Sequence, residues 1–164
     1  MRKNKVMPTA PEAPQLAPLD DLPGYYIRRL QQIAVALFLE ETQAQGITPV
    51  QFAALSAAHR QPGLDQRSLA ASIGFDTSTI GGVIDRLERR GLIERRASPS
   101  DRRVRLLQVT DAGQALLTAV MPGMLQAQHR ILAPLGPSDR ARFMGMLKTL
   151  VEANNELSRA PFDG

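Results

Sequence analysis

Apolar residues recur at helical spacing along most of this chain, and the period breaks once. Ile27, Leu30, Ala34, Leu37 and Phe38 form a stripe that predicts a long helix from about Pro23 to Ala44, with Pro23 suited to a first turn and Gly46 as the stop. Thr48-Pro49 reads as an N-cap followed by proline at the first helical position. The helix it opens puts Phe52, Leu55 and Ala58 toward the core and ends near His59-Arg60, before the loop Gln61-Pro62-Gly63. Residues 66 to 91 predict two short helices around the tight turn Ile73-Gly74-Phe75-Asp76. Gly74 tolerates positive φ, and Ala70 is small enough for a second helix to cross it. Leu69, Ile73, Phe75, Ile80 and Val83 fall where a helix-turn-helix must place apolar groups.

The period then changes. Leu92 to Arg96 and Val104 to Val109 are rich in branched residues, and Ala97-Ser98-Pro99-Ser100-Asp101 joins them into a hairpin with a polar, basic tip. Thr110-Asp111 caps a further helix whose stripe is Leu116, Val120, Met124, Ala127 and Ile131, with Pro122 predicting a kink. A last helix from about Ser138 to Leu157 carries Phe143, Met146, Leu147, Leu150, Val151 and Leu157 on one face. The fold class is mainly α with a small two-stranded β wing. A winged helix-turn-helix at about 48–110 lies between terminal helices at about 23–45 and 111–158. Those terminal stripes need something to bury against, and a second copy of the chain predicts a two-fold homodimer. A dimer sets two reading helices about one DNA turn apart, so the expected site is a pseudo-palindrome.

Charge sharpens the picture. From Asp85 to Arg105 eight arginines stand against four acids, an excess equal to the +4 of all 164 residues. That excess sits on the second helix and hairpin of the helix-turn-helix, where phosphates would lie. Arginine (17) outnumbers lysine (3), which suits bidentate and planar contacts. Residues 1–20 carry prolines 8, 11, 14 and 18 and no helical period, and are expected to form a disordered tail. Arg2, Lys3 and Lys5 have no apolar stretch behind them, so no secretion signal is read, and a cytoplasmic protein is expected. The absence of cysteine excludes disulfides and thiolate metal sites. His59 and His129 lack a neighbouring metal-ligand pattern, and no glycine-rich phosphate loop, nucleophile elbow or carboxylate pair is present. Neither an enzyme nor a metal or cofactor is expected.

From about Pro23 to Leu157 the chain resembles the MarR family of winged helix-turn-helix regulators. The match is carried by LAASIGFDTSTI, VIDRLERRGLIERR and SDRRVRLLQVTDAG, above all by Asp101-x-Arg103 followed by Leu107-x-Val109-Thr110-x-x-Gly113. The resemblance implies a homodimer built on the terminal helices, a domain over 21–164, a recognition helix in the major groove and a wing at the minor groove. It also implies a repressor released by a small aromatic acid. One departure stands out: Gly81-Gly82 replaces the Ser/Thr-Arg pair of many members. Two glycines allow either close packing inside the domain or close approach to DNA, leaving Thr77, Ser78 and Thr79 for base-edge and phosphate contacts.

The candidate DNA-binding residues are Ser68, Thr77, Ser78, Thr79, Gly82, Arg86, Arg89, Arg96, Arg102 and Arg103. Arg86, Arg89 and Arg90 are expected at phosphates, or Arg86 at a carboxylate within the domain. Arg102 or Arg103 is expected in the minor groove, with Asp101 orienting an arginine by a charge-assisted hydrogen bond. An aromatic carboxylate wants a cation beside an apolar slot. Tyr25, Tyr26, Arg28, Arg29 and His59 are the candidates for it; Arg29 falls where several family members carry an arginine near the ligand. The segment YYIRRLQQIAVALFLEE is also similar to the family's nicotinate-degradation repressors, which would make a hydroxylated pyridine carboxylate the effector. Two other readings stay open: a DNA-binding architectural or constitutive regulator without ligand control, and a helical protein-interaction module.

Overall fold

A computed structural model describes residues 18–101 and 103–158. Arg102 and the first seventeen residues of the expected tail, with Arg2, Lys3 and Lys5, lie outside the described residues. The last part of that tail is not irregular: Leu19–Asp21 makes a 3-10 turn. Six α-helices and one hairpin follow: α1 Pro23–Glu41, α2 Pro49–Arg60, α3 Gln66–Ser72, α4 Thr77–Arg89, β1 Ile93–Ala97, β2 Arg105–Val109, α5 Asp111–Leu132 and α6 Pro137–Ala153.

The chain divides into an amino-terminal unit ending at Gln32 and a larger unit from Ile33 onward. In the first, Tyr25 and Tyr26 meet edge to face at 5.4 Å between ring centroids, and the Arg28 guanidinium lies 5.8 Å from the Tyr25 ring centre.

In the larger unit, Leu55 of α2, Leu69 of α3, Ile80, Ile84 and Leu87 of α4, Ile93 of β1, Leu107 of β2 and Val120 of α5 are fully buried together. Alanines 54, 57, 58 and 70 are buried among them. Their small side chains let α2, α3 and α4 approach closely, as Ala70 predicts. β1 and β2 pair antiparallel in the register Ile93↔Val109 through Ala97↔Arg105. Thr48 opens α2 with a reciprocal capping box: its hydroxyl accepts the Gln51 N–H at 3.3 Å while the Gln51 side chain accepts the Thr48 N–H at 3.1 Å.

Four expectations need correction. α1 stops at Glu41, short of Ala44, because buried Thr42 turns its hydroxyl back onto the Phe38 carbonyl at 2.7 Å and a 3-10 turn, Gln43–Gln45, follows. β1 starts one residue late because the Leu92 N–H closes the end of α4 on the Leu87 carbonyl, and the Leu92 carbonyl takes Thr110 N–H. Phe75, expected inside the helix-turn-helix, is 37% exposed; it is the turn backbone, through Phe75 N–H to Ala70 O at 3.0 Å, that holds this corner. α6 ends at Ala153, where the Asn154 amide caps the Leu150 carbonyl at 2.8 Å, and none of its residues is buried. α5 continues as one helix through Pro122.

Two glycines fix how α5 lies. A Cβ on Gly113 would stand 2.2 Å from the Leu92 carbonyl oxygen, and one on Gly123 would stand 2.4 Å from the Glu41 carbonyl oxygen. Arg130 reinforces the second crossing with ion pairs to Glu41 at 2.6 Å and Glu40 at 3.0 Å.

Candidate nucleic-acid interface

The helix-turn-helix is held by two acidic caps. Asp65 accepts the Ser68 N–H at 2.7 Å to begin α3, and that backbone hydrogen bond holds its carboxyl below the ordinary carboxylate range. Asp76 begins α4 and does more. One oxygen accepts the Ser78 hydroxyl at 2.6 Å and the Thr79 N–H at 2.8 Å, and the other accepts the Thr79 hydroxyl at 2.6 Å. The two hydroxyls, Ser78 first, and then the Thr79 N–H drive the Asp76 pKa far down. Between the caps, Gly74 turns the chain at φ 66°. The Gln66 amide reaches from α3 to the Thr77 carbonyl at 3.1 Å.

This packing divides the glycine pair. A Cβ on Gly81 would meet the Gln66 amide nitrogen at 2.9 Å, so Gly81 makes room for the bridge between α3 and α4. A Cβ on Gly82 would meet nothing within 4 Å. Packing explains Gly81 and leaves Gly82 unexplained.

α4 buries Ile80, Val83, Ile84 and Leu87 and turns Ser78, Thr79, Asp85, Arg86 and Arg89 outward, with Thr77 exposed at its start. Ser68 is exposed on α3. The arginines divide by what they already hold. Arg86 is exposed and, among the described residues, makes no ion pair. Arg89 is exposed and leans on the Asp85 carbonyl at 3.2 Å. Arg90 departs from the phosphate role expected of it: its guanidinium donates to Gly46 O at 2.9 Å and Gln45 O at 3.3 Å, clasping the end of α4 to the turn after α1. Arg95 bridges Asp85 at 2.5 Å and Glu88 across α4 and β1. Burial acts to lower its pKa, but the two carboxylates outweigh that and raise it. Arg96 is 62% exposed and pairs with Glu94 at 2.5 Å.

At the wing tip, Asp101 does not hold a guanidinium among the described residues. Its carboxylate accepts the Arg103 main-chain N–H at 2.9 Å, so it fixes the turn from which exposed Arg103 projects. Ser98, buried, anchors the same loop through the Val104 carbonyl at 3.0 Å and its hydroxyl contact to Ser100 at 3.0 Å. Gln66, Arg95 and Ser98 are framework residues that pattern reading misses. The opposite charges of Arg95, Asp85 and Glu88 are visible in the sequence; that they converge depends on how β1 leaves α4.

On the ligand side, Tyr25, Tyr26 and Arg28 come together in the amino-terminal unit, with Arg29 exposed on the same helix. His59 is exposed at the end of α2 in the larger unit. A groove of about 490 Å³ between Leu39 and Thr48 is lined by Glu40 as its one charged residue, which disfavours an organic anion. Among the described residues no cluster of histidine and carboxylates could hold a metal ion, and no helix is long and apolar enough to cross a membrane.

A three-helix reading unit followed by a basic hairpin defines a winged helix-turn-helix protein. The family model named MarR matches residues 47–104. The chain is 33% identical over 134 residues, 81% of each sequence, to a transcriptional regulatory protein named for the hcr operon of Thauera aromatica. It is 28% identical to the HTH-type transcriptional repressor NicR of Pseudomonas putida KT2440, over 86% of this chain and 94% of NicR. Its fold matches Bordetella bronchiseptica BpsR, whose DNA binding is regulated by 6-hydroxynicotinic acid, with a TM-score of 0.78 and 27% identity over 83% of this chain and 97% of BpsR. The chain belongs to the MarR family. It is a transcriptional regulator and not an enzyme.

Proposed function

We propose that this chain is a cytoplasmic homodimeric repressor that grips a pseudo-palindromic operator and is released by a small aromatic or heteroaromatic acid, a hydroxylated nicotinate being the first candidate. The observation that carries the DNA side is the exposed face of α4, where Ser78, Thr79, Arg86 and Arg89 point outward, together with an exposed Arg103 at the wing tip. In this reading Thr77, Ser78 and Thr79 meet the major groove, with Gly82 allowing the helix backbone to come close. Arg86, Arg89, Arg96 and Ser68 meet the DNA backbone, and Arg103 or Arg102 enters the minor groove. Dimerisation is supported by apolar side chains left open on the terminal helices: Leu125, Met146, Leu150 and Val151 are each more than half exposed.

The effector side rests on Tyr25, Tyr26, Arg28 and Arg29 of the amino-terminal unit, which supply aromatic faces and cations for a planar carboxylate, and His59 of the larger unit is a separate candidate. The regulation of BpsR by 6-hydroxynicotinic acid and the likeness to NicR support the pyridine class. Release follows from population shift: the acid binds best to a conformation whose two reading helices are wrongly spaced. Binding of the full chain to its own promoter DNA, measured with and without 6-hydroxynicotinate and a panel of benzoates and cinnamates, tests this. Tight binding that an acid reverses is the expected result. Binding that no acid affects favours a constitutive regulator, and no DNA binding at low salt overturns the reading.

A further inference from the structure

We propose that Asp76 is a specificity-determining residue of the DNA-reading helix: it takes the hydroxyl protons of Ser78 and Thr79, so these two side chains accept hydrogen bonds from base amino groups and cannot donate to keto oxygens or phosphate. The inference rests on the reading of α4 as the recognition helix. It follows from proton counting. A serine or threonine hydroxyl has one proton and two lone pairs, and an ionised carboxylate only accepts. Both hydroxyls lie 2.6 Å from Asp76 oxygens, so each proton points at the carboxylate and the lone pairs point away. The carboxyl stays ionised because these same hydroxyls, with the Thr79 N–H, stabilise its charge. Ser78 and Thr79 are exposed on the outward face of α4, so the lone pairs are what that face presents.

In the major groove, adenine N6 and cytosine N4 are donors, whereas guanine O6 and N7 and thymine O4 are acceptors. Two hydroxyls whose protons are already donated to Asp76 therefore favour adenine or cytosine over guanine or thymine on the strand they face. They also withdraw from phosphate contact, since a phosphate oxygen needs a donor. The Thr77 hydroxyl is not among Asp76's partners and remains able to donate to a phosphate. Asp76 is thus a positioning residue, reading bases through its neighbours.

The test is selection of binding sites from a randomised duplex library by the full-length protein. Wild type should enrich adenine or cytosine over guanine or thymine at two positions per half-site. Asp76→Ala frees both protons and should lower that ratio at both positions by about 3–10-fold, the span of one modest hydrogen bond. Should Asp76→Ala fail to fold, Ser78→Ala and Thr79→Val keep the Asp76 cap on the Thr79 N–H. Each should then erase the preference at one position only. If wild type and the variants select the same bases while affinity falls uniformly, Asp76 is a cap alone and the inference is overturned. If wild type enriches no duplex at all, the reading of α4 as a DNA-recognition helix falls instead, which is a distinguishable result.

Discussion

Glycines in this chain carry opposite meanings that only their surroundings separate. The Cβ of a Gly113→Ala variant would press on the Leu92 carbonyl, a backbone atom that already receives the Thr110 N–H. Nothing flexible can move aside, so α5 must lift from the turn between α4 and β1, and a loss of about 1–3 kcal/mol in stability is expected by chemical denaturation. Gly82→Ala meets open space inside a helix, where alanine is favoured by about 1 kcal/mol, so stability should rise. If Gly82 serves the approach of α4 to DNA, the same variant should bind its operator more weakly despite being more stable, and a titration beside the melt reads both. Gly113 is legible in the sequence only through its place in a motif, and the clash that requires it comes from a carbonyl twenty-one positions earlier. Asp76 shows a second kind of hidden information. An aspartate before a helix is readable as a cap, yet its hold on two hydroxyls depends on rotamers the sequence does not specify. Its depressed pKa makes the cap stabilising above the unfolded value of 3.8, and that stability is lost as pH falls through the still lower folded value. Melting temperature should therefore fall more steeply below about pH 4 in wild type than in Asp76→Ala, while the difference between the two stays constant from about pH 5 to about pH 8.

At the scale of elements, most starts are readable and most ends are not. Thr48-Pro49 and Thr110 are read as caps from sequence, and the structure adds Asp65 and Asp76; each places an oxygen where a first-turn N–H needs it, and the helices begin there. Ends are set by what lies across the fold. α1 stops where Thr42 is buried, and β1 starts where Leu92 is released from the turn that closes α4. Arg90 is the clearest instance. In sequence it is one more cation on a basic helix; in the fold its guanidinium holds two carbonyls of the Gln43–Gly46 turn. That contact joins the end of α4 to the end of α1. Arg90→Ala should lower stability by about 1 kcal/mol, the scale of an exposed hydrogen-bonded contact. Its effect on DNA affinity should not vary with salt, because the guanidinium is occupied within the protein. An affinity loss that shrinks as salt rises would instead place Arg90 on a phosphate.

Salt can also count protomers on the duplex. Each phosphate neutralised by a protein cation releases condensed counterions, and the slope of log K against log salt changes by about 0.9 per contact on B-DNA. Arg86 is exposed and holds no carboxylate among the described residues, so its charge is available to a phosphate. A monomer carrying one Arg86 to DNA would lose about 0.9 from its slope on Arg86→Ala. A two-fold dimer brings the same residue to both half-sites, and the slope should fall by about 1.8. Arg96 makes the contrast within the same measurement. Its pairing with Glu94 must be exchanged for a phosphate contact, and the freed acid then faces the duplex, so Arg96→Ala should change the slope by less than Arg86→Ala does. Arg90→Ala should leave it unchanged. Affinities of the four proteins for one palindromic duplex across a salt series give the ordering directly. A fall near 1.8 for Arg86→Ala supports two copies gripping one site, each through the outward face of α4. A fall near 0.9 means a single reading helix engages the duplex. An unchanged slope would remove Arg86 from the phosphate-binding set, whatever its effect on affinity.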